Sequence, residues 1–142
     1  MPRVKYNTLI PRILIGSETD AQSMVDDGGC DVIIDLREEA DKPAFFSNYT
    51  KWIHIKLKDH VTGQESQIQK AVAVVVEQYN QNKTIGIHCA SGVCRTAAVA
   101  IGVLIELGVC RKLKEATQYV EISRTQTSLH PNLKDTLSNL YK

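Results

Sequence analysis

The chain has 142 residues, of which 43% are hydrophobic and 23% are charged, and its formal net charge is +1 at pH 7. A chain of this length can bury about two-thirds of its unfolded surface in one core, so the sequence predicts a single domain over residues 1–142. The small net charge gives no support to binding of nucleic acid or of an acidic membrane. The longest apolar run is also far shorter than the roughly 18 residues that a membrane-spanning helix needs.

The cysteines and the N-terminal residues bear on the cellular compartment. The N-terminal residues lack the continuous apolar segment of a secretory signal. The cysteines are few and irregularly spaced, at Cys30, Cys89, Cys94 and Cys110, which favours a reducing compartment over a disulfide framework. We therefore expect a cytoplasmic protein. No spacing of cysteine and histidine indicates a zinc site, and we expect neither a metal nor an organic cofactor. We also expect a monomer.

Strand and helix patterns alternate over the first quarter of the sequence. A short apolar strand is predicted over residues 12–16, a brief helix over 21–27 and a continuous apolar strand over 31–36. The charged residues 37–42 indicate a loop. Strand, helix and strand in succession predict an α/β fold with right-handed crossovers.

The next segment carries four of the eight aromatic residues. Residues 43–49 predict a helical turn with Phe45, Phe46 and Tyr49 on one side. The alternating residues 52–57 then predict a strand with one apolar face.

The rest of the chain is rich in helix. The polar loop 58–63 lies at the carboxyl end of a predicted strand, which is where active-site residues are usually found in open α/β sheets. A helix is predicted over 67–82, and a strand–loop–helix unit that Gly108 ends follows over 84–107. Two more helices are predicted, one over 112–123 that carries Leu113, Ala116, Val120 and Ile122 and a last one over 132–141. Together the patterns predict a central, mostly parallel sheet of about four to five strands flanked by helices.

The strand–loop–helix unit carries an anion-binding pattern. Its loop leads into a helix N-terminus, which directs several backbone N–H groups and the positive end of the helix dipole toward one point. Gly92 permits a positive φ, and Arg95 offers a planar fork for two oxygens of a phosphate. Cys89 lies within this electropositive ring, which favours its thiolate form. These residues predict a nucleophile that faces a bound phosphoryl group.

The nine residues 88–96 read His-Cys-Ala-Ser-Gly-Val-Cys-Arg-Thr. They match the signature H-C-x-x-G-x-x-R-[ST] of the cysteine-dependent protein tyrosine phosphatases. Further segments are similar to those of the compact dual-specificity phosphatases, at residues 13–17, 32–36, 57–59 and 130–132. The resemblance covers the whole chain and implies a phosphotyrosine phosphatase-like α/β fold.

The resemblance implies a role for each residue of the loop. Cys89 is the expected nucleophile, which forms a phosphocysteine intermediate. Arg95 is expected to bind the phosphoryl oxygens and to stabilise their charge in the transition state. Thr96 is expected either to donate its hydroxyl to the cysteine sulfur or to cap the helix. The expected phosphate-binding residues, through their backbone N–H groups, are Ala90, Ser91, Gly92, Val93, Cys94 and Arg95.

Three residues outside the loop are also implied. Asp59 has the family's spacing from the nucleophile and is the expected general acid, with a solvated turn residue as the alternative and with Asp41 and Glu65 as other candidates. His88 is expected either to order the loop through a hydrogen bond or to be a plain core histidine. Asn132 resembles a family residue near the loop, with a helix N-cap as the alternative.

The sequence thus predicts a metal-independent phosphatase that acts on phosphorylated proteins or peptides, on phosphotyrosine and also on phosphoserine or phosphothreonine. Two alternatives stay open. One is a pseudophosphatase that only binds phosphate. The other is a thiol redox enzyme or arsenate reductase that uses Cys89 and Cys94, which could also form a reversible disulfide.

Overall fold

The computed structural model describes residues 6–141. The strands are β1 (Tyr6–Ile10), β2 (Ile13–Gly16), β3 (Val32–Arg37), β4 (Lys51–Leu57) and β5 (Ile85–His88). The helices are α1 (Ala21–Asp26), α2 (Glu65–Asn80), α3 (Arg95–Glu106), α4 (Leu113–Ser123) and α5 (Pro131–Leu140), and a short 3-10 turn at Glu18–Asp20 precedes α1.

The five strands form one sheet in the order β1-β2-β5-β3-β4. Strand β1 runs antiparallel to β2, whereas β2, β5, β3 and β4 are parallel to one another. Because parallel strands end at the same edge, the last residue of β5, His88, lies beside Gly16 of β2 and Asp35 of β3. The predicted mostly parallel sheet is confirmed, and its carboxyl edge is the place where a site can form.

The two faces of the sheet bury different residues because successive strand side chains alternate. Ile13 and Ile34 pack into the large core formed with α2, α3, α4 and α5. Leu14 and Ile33, each one residue away, pack on the opposite face, where Met24 of α1 covers them. Almost every residue of α3 is buried, which places its N-terminus at a fixed position behind the carboxyl edge of the sheet.

The predicted helical turn over residues 43–49 is wrong. This segment consists of bends, with Phe45 buried and with Phe46 and Tyr49 at least 90% exposed. The reason lies in the side chain of Gln22, which accepts from the Phe46 backbone N–H at 2.8 Å and donates to the Phe46 carbonyl at 3.1 Å. These two bonds replace the helical ones, and the segment runs along α1.

Other local predictions also differ from the structure. The strand β1 was not predicted, and it forms because its backbone pairs with β2 across a turn in which Arg12 has φ 74°. Arg37, predicted as loop, ends β3 and is buried. The predicted helix over 112–123 is present as α4, which buries Ala116 and Val120 and leaves Ile122 80% exposed.

No helix within residues 6–141 is long and apolar enough to cross a bilayer.

Candidate active site

The loop between β5 and α3 is folded around Gly92. Gly92 has φ 71°, and a Cβ added there would lie 2.6 Å from the carbonyl carbon and oxygen of Gly16. Both facts require glycine at this position. The predicted positive φ is confirmed, and residues 89–95, here called the anion loop, turn sharply enough to bring Cys89 and Arg95 to one side.

The carbonyl oxygens of residues 89–94 accept hydrogen bonds from donors that lie outside the interior of the anion loop. The donors are the His88 ring to Cys89 at 3.0 Å, Glu18 N to Ala90 at 3.1 Å, Arg124 Nη2 to Ser91 at 3.4 Å, Arg124 Nε to Gly92 at 3.0 Å, Ser128 N to Val93 at 3.1 Å and Ala98 N to Cys94 at 3.0 Å. In a planar trans peptide the N–H points opposite to the C=O. The N–H groups of residues 90–95 are therefore turned toward the interior, as in an anion-binding nest.

Arg95, the first residue of α3, is only 2% exposed. Its Nη1 and Nη2 donate to the two carboxylate oxygens of Glu39 at 2.8 and 3.0 Å, and its Nη1 also donates to the Leu57 carbonyl at 3.2 Å. Asp59 Oδ2 lies 3.3 Å from Nη2. The Nε–H is buried and has no partner among residues 6–141. A buried donor without a partner calls for an acceptor, and an oxyanion in the anion loop would supply one.

Glu39 is a residue of this site that the sequence analysis missed. It lies in the charged loop directly after β3, at the carboxyl edge of the sheet, and this location is the only signal that the sequence offers. Hydrogen bonding to Arg95 lowers the pKa of Glu39 to about 2. Burial tends to lower the pKa of Arg95, but the nearby Glu39, Cys89 and Asp59 outweigh it and raise that pKa. The arginine therefore stays charged.

The structure brings the other predicted side chains to the same place. The Thr96 hydroxyl donates to Cys89 Sγ at 3.0 Å, and both residues are buried. Asp59 is about half exposed at the rim. Of the three candidate acids, Asp59 contacts Arg95, whereas no bond of Asp41 or Glu65 to the anion loop is found among the described residues.

His88 is fully buried behind the anion loop. Its Nδ1 bonds the Cys89 carbonyl at 3.0 Å, and its Nε2 lies 3.8 Å from Asp35 Oδ2. Burial lowers the pKa of His88, although Asp35 opposes this. Burial also tends to raise the pKa of Asp35, but hydrogen bonds from Arg37 and Trp52 and the proximity of His88 lower it overall. The anion loop therefore packs against a buried histidine whose Nδ1 bonds the loop and whose Nε2 has no hydrogen-bond partner within residues 6–141.

Asn132 connects the polar loop 58–63 to α5. Its side chain donates to the His60 carbonyl, next to Asp59, and its backbone N–H bonds His130 Nδ1 at 3.3 Å. His130 is therefore the N-cap of α5, and the N-cap alternative for Asn132 is wrong. The rings of His60 and His130 stack at 3.8 Å, which adds a second contact between the two segments.

The thiol of Cys94 accepts from the His130 backbone N–H at 3.2 Å. Burial raises the pKa of this thiol. The four cysteines are free, so Cys89 and Cys94 are not joined in this structure.

Comparison with known proteins assigns this arrangement to a family. Residues 13–142 match the family model of the dual specificity phosphatase catalytic domain. The chain therefore belongs to the dual specificity phosphatase family, which confirms the resemblance drawn from its sequence. No curated protein sequence matches the chain.

Several solved structures share the fold. Human DUSP28 has a TM-score of 0.84 at 15% identity, with 98% of this chain and 93% of that chain covered. A mouse putative dual specificity phosphatase complexed with zinc tungstate has a TM-score of 0.86 at 15% identity, covering 97% and 87%. The human tyrosine phosphatase-like serine/threonine/tyrosine-interacting protein has a TM-score of 0.83 at 18% identity, covering 97% and 96%.

Proposed function

We propose that this chain is a metal-independent phosphatase that hydrolyses phosphomonoesters on phosphorylated proteins through a phosphocysteine intermediate. The observation that carries the proposal is that the anion loop holds three groups together, with Cys89 close enough to Arg95 to raise the pKa of that arginine. These groups are the Cys89 sulfur, the inward N–H groups of the anion loop and the unpartnered, buried Nε–H of Arg95. A phosphoryl group placed there has a nucleophile on one side and donors around its oxygens.

In the first step, the Cys89 thiolate attacks phosphorus. The S–P bond forms while the bond from phosphorus to the substrate oxygen breaks. Asp59, in its acid form, gives its proton to the leaving oxygen. Arg95 binds the equatorial oxygens through its Nε edge, because Glu39 already occupies the edge between Nη1 and Nη2.

In the second step, water attacks the phosphocysteine. The Asp59 carboxylate takes a proton from that water, and the sulfur leaves as a thiolate. The Thr96 hydroxyl, 3.0 Å from the sulfur, stabilises the charge that develops on it. Inorganic phosphate is released, Cys89 is again a thiolate and Asp59 again carries its proton.

The alternatives differ in what they require of Cys94 and Asp59. A redox enzyme needs a resolving thiol that ionises readily, whereas burial raises the pKa of Cys94. A pseudophosphatase has no use for an acid, whereas Asp59 lies 3.3 Å from the phosphate-binding arginine. Both observations favour hydrolysis. Action as a monomeric, single-domain enzyme in the cytoplasm, on phosphotyrosine as well as phosphoserine and phosphothreonine, is part of the proposal and is supported by the sequence alone.

The test is phosphate release from phosphotyrosyl and phosphoseryl peptides in the presence of EDTA. We expect the wild type to release phosphate and Cys89→Ser to release none. Cys110→Ser is the matched control, since Cys110 is equally buried but follows the far end of α3. Peptide binding without release by the wild type would favour the pseudophosphatase, and release that depends on a divalent metal would contradict the mechanism.

A further inference from the structure

Arg124 is a buried arginine outside the family signature, and it contacts the anion loop from behind. It follows the last residue of α4 and is 5% exposed. Its Nε donates to the Gly92 carbonyl at 3.0 Å and its Nη2 to the Ser91 carbonyl at 3.4 Å. Its Nη1 donates to Asn7 Oδ1 at 2.9 Å. One guanidinium thus connects the loop to β1.

These two carbonyls lie where the anion loop bends most. Gly92 has its left-handed φ here, and a Cβ at this position would lie 2.8 Å from Arg124 Nη2. The remaining loop carbonyls accept from backbone N–H groups or from the His88 ring. The peptides that follow Ser91 and Gly92 are therefore the ones whose orientation depends on a side chain distant in sequence.

The charge of Arg124 is balanced by a long ion pair. The nearest carboxylate is that of Asp20, whose Oδ2 lies 3.7 Å from Nη2 and already accepts from the Ser17 N–H and hydroxyl at 2.8 and 2.9 Å. Burial lowers the pKa of Arg124, while Asp20 and Cys89 oppose that change, so the guanidinium and the nucleophile are close enough to interact. Burying an arginine is costly when its ion pair is this long and its carboxylate is shared with other donors. An anion bound in the loop would offset this cost.

We propose that Arg124 is a positioning residue for oxyanion binding. It holds the carbonyls of Ser91 and Gly92 outward, so that the N–H groups of Gly92 and Val93 point at the phosphoryl oxygens. Its charge adds to that of Arg95 at the same location. The inference rests on the proposed function, since it names a second cation for the same phosphate site.

The competing view is that Arg124 only connects secondary structure elements. Its removal would then lower the free energy of unfolding without changing the affinity of the folded protein for an oxyanion. Arg12 provides a matched control for that view. Its Nη1 also donates to two backbone carbonyls, those of Tyr79 and Lys83, at 3.1 and 2.8 Å. It lies at the other end of β2, away from the anion loop.

The experiment measures the dissociation constant of tungstate by calorimetry for the wild type, Arg124→Met, Arg124→Lys and Arg12→Met, with folding checked by circular dichroism. We expect Arg124→Met to weaken tungstate binding about tenfold to a hundredfold, somewhat less than the loss of a direct oxyanion donor. Arg124→Lys keeps the charge but not the fork, so an intermediate loss of about threefold to tenfold is expected. Arg12→Met should bind as the wild type does.

Equal tungstate affinity in Arg124→Met and Arg12→Met would overturn the proposal. If Arg124→Met does not fold, Arg124→Lys decides, and wild-type affinity there overturns it. A wild type that binds tungstate but releases no phosphate from peptides contradicts the proposed function, while the affinities of the variants still decide the role of Arg124. A wild type that binds no tungstate contradicts both.

Discussion

The bond from Thr96 to Cys89 leads to a prediction whose size follows from the structure. In the proposed second step the sulfur leaves with a full negative charge, and the Thr96 hydroxyl is 3.0 Å away from it. A hydrogen bond to a charged group contributes about 1.5–3 kcal/mol. Because Thr96 is fully buried, solvent does not replace the lost donor. Thr96→Ala should therefore slow hydrolysis of the phosphocysteine about tenfold to a hundredfold.

The assay is rapid-quench hydrolysis of p-nitrophenyl phosphate, which separates the two steps. In Thr96→Ala the first turnover should release nitrophenol in a burst, followed by a slow steady state limited by the second step. Thr96→Ser is the matched control, because it keeps the hydroxyl, and its kcat should lie within about threefold of the wild type. A Thr96→Ala variant with no burst and with the kcat of Thr96→Ser would refute the reasoning.

Three further predictions follow from the site. Asp59→Asn should lower kcat by about 10²–10⁴, because an amide can neither give a proton to the leaving oxygen nor take one from water. Asp41→Asn is the control, and a matching loss there would contradict the assignment. Gly92→Ala should abolish tungstate binding, because the added Cβ would clash with the Gly16 carbonyl. Gly63→Ala is the control: it also has a positive φ but lies in open space, so it should only lose stability, as measured by urea unfolding. Equal tungstate binding in the two variants would contradict this account. The pKa of Glu39 is lowered from 4.5 to about 2, so its ion pair stabilises the folded protein above pH 4.5, and this stabilisation is lost as the pH falls toward 2. The Tm of Glu39→Gln should therefore change less than the Tm of the wild type over this interval. Glu38→Gln is the control and should follow the wild type, because the Glu38 carboxylate pairs with the exposed Lys58.

The parts of the fold that depend on local pattern could be predicted from the sequence. The segment from β5 to α3 has its alternating strand, its glycine turn and its apolar helix within 24 residues, and the spacing of Cys89, Gly92 and Arg95 is itself the signal. Gly108 likewise ends α3 in the left-handed conformation with φ 76°, as expected for a residue just past a helix.

The parts that depend on distant contacts could not be predicted. Glu39 pairs with an arginine 56 positions away, and Arg124 bonds carbonyls more than 30 positions before it. Neither residue stands in a motif that would reveal its partner. The helical turn expected around Phe46 was wrong for the same reason, because the amide of Gln22, 24 residues earlier, bonds the backbone there.

The measurement that tests the central claim most directly is mass spectrometry of the acid-quenched enzyme during turnover of a phosphotyrosyl peptide. Our account predicts phosphate bound covalently to the peptide that contains Cys89, with more of it in Thr96→Ala than in the wild type, because the slowed second step lets the intermediate accumulate. Continued turnover with no phosphate on Cys89, or with phosphate on another residue, would contradict the account.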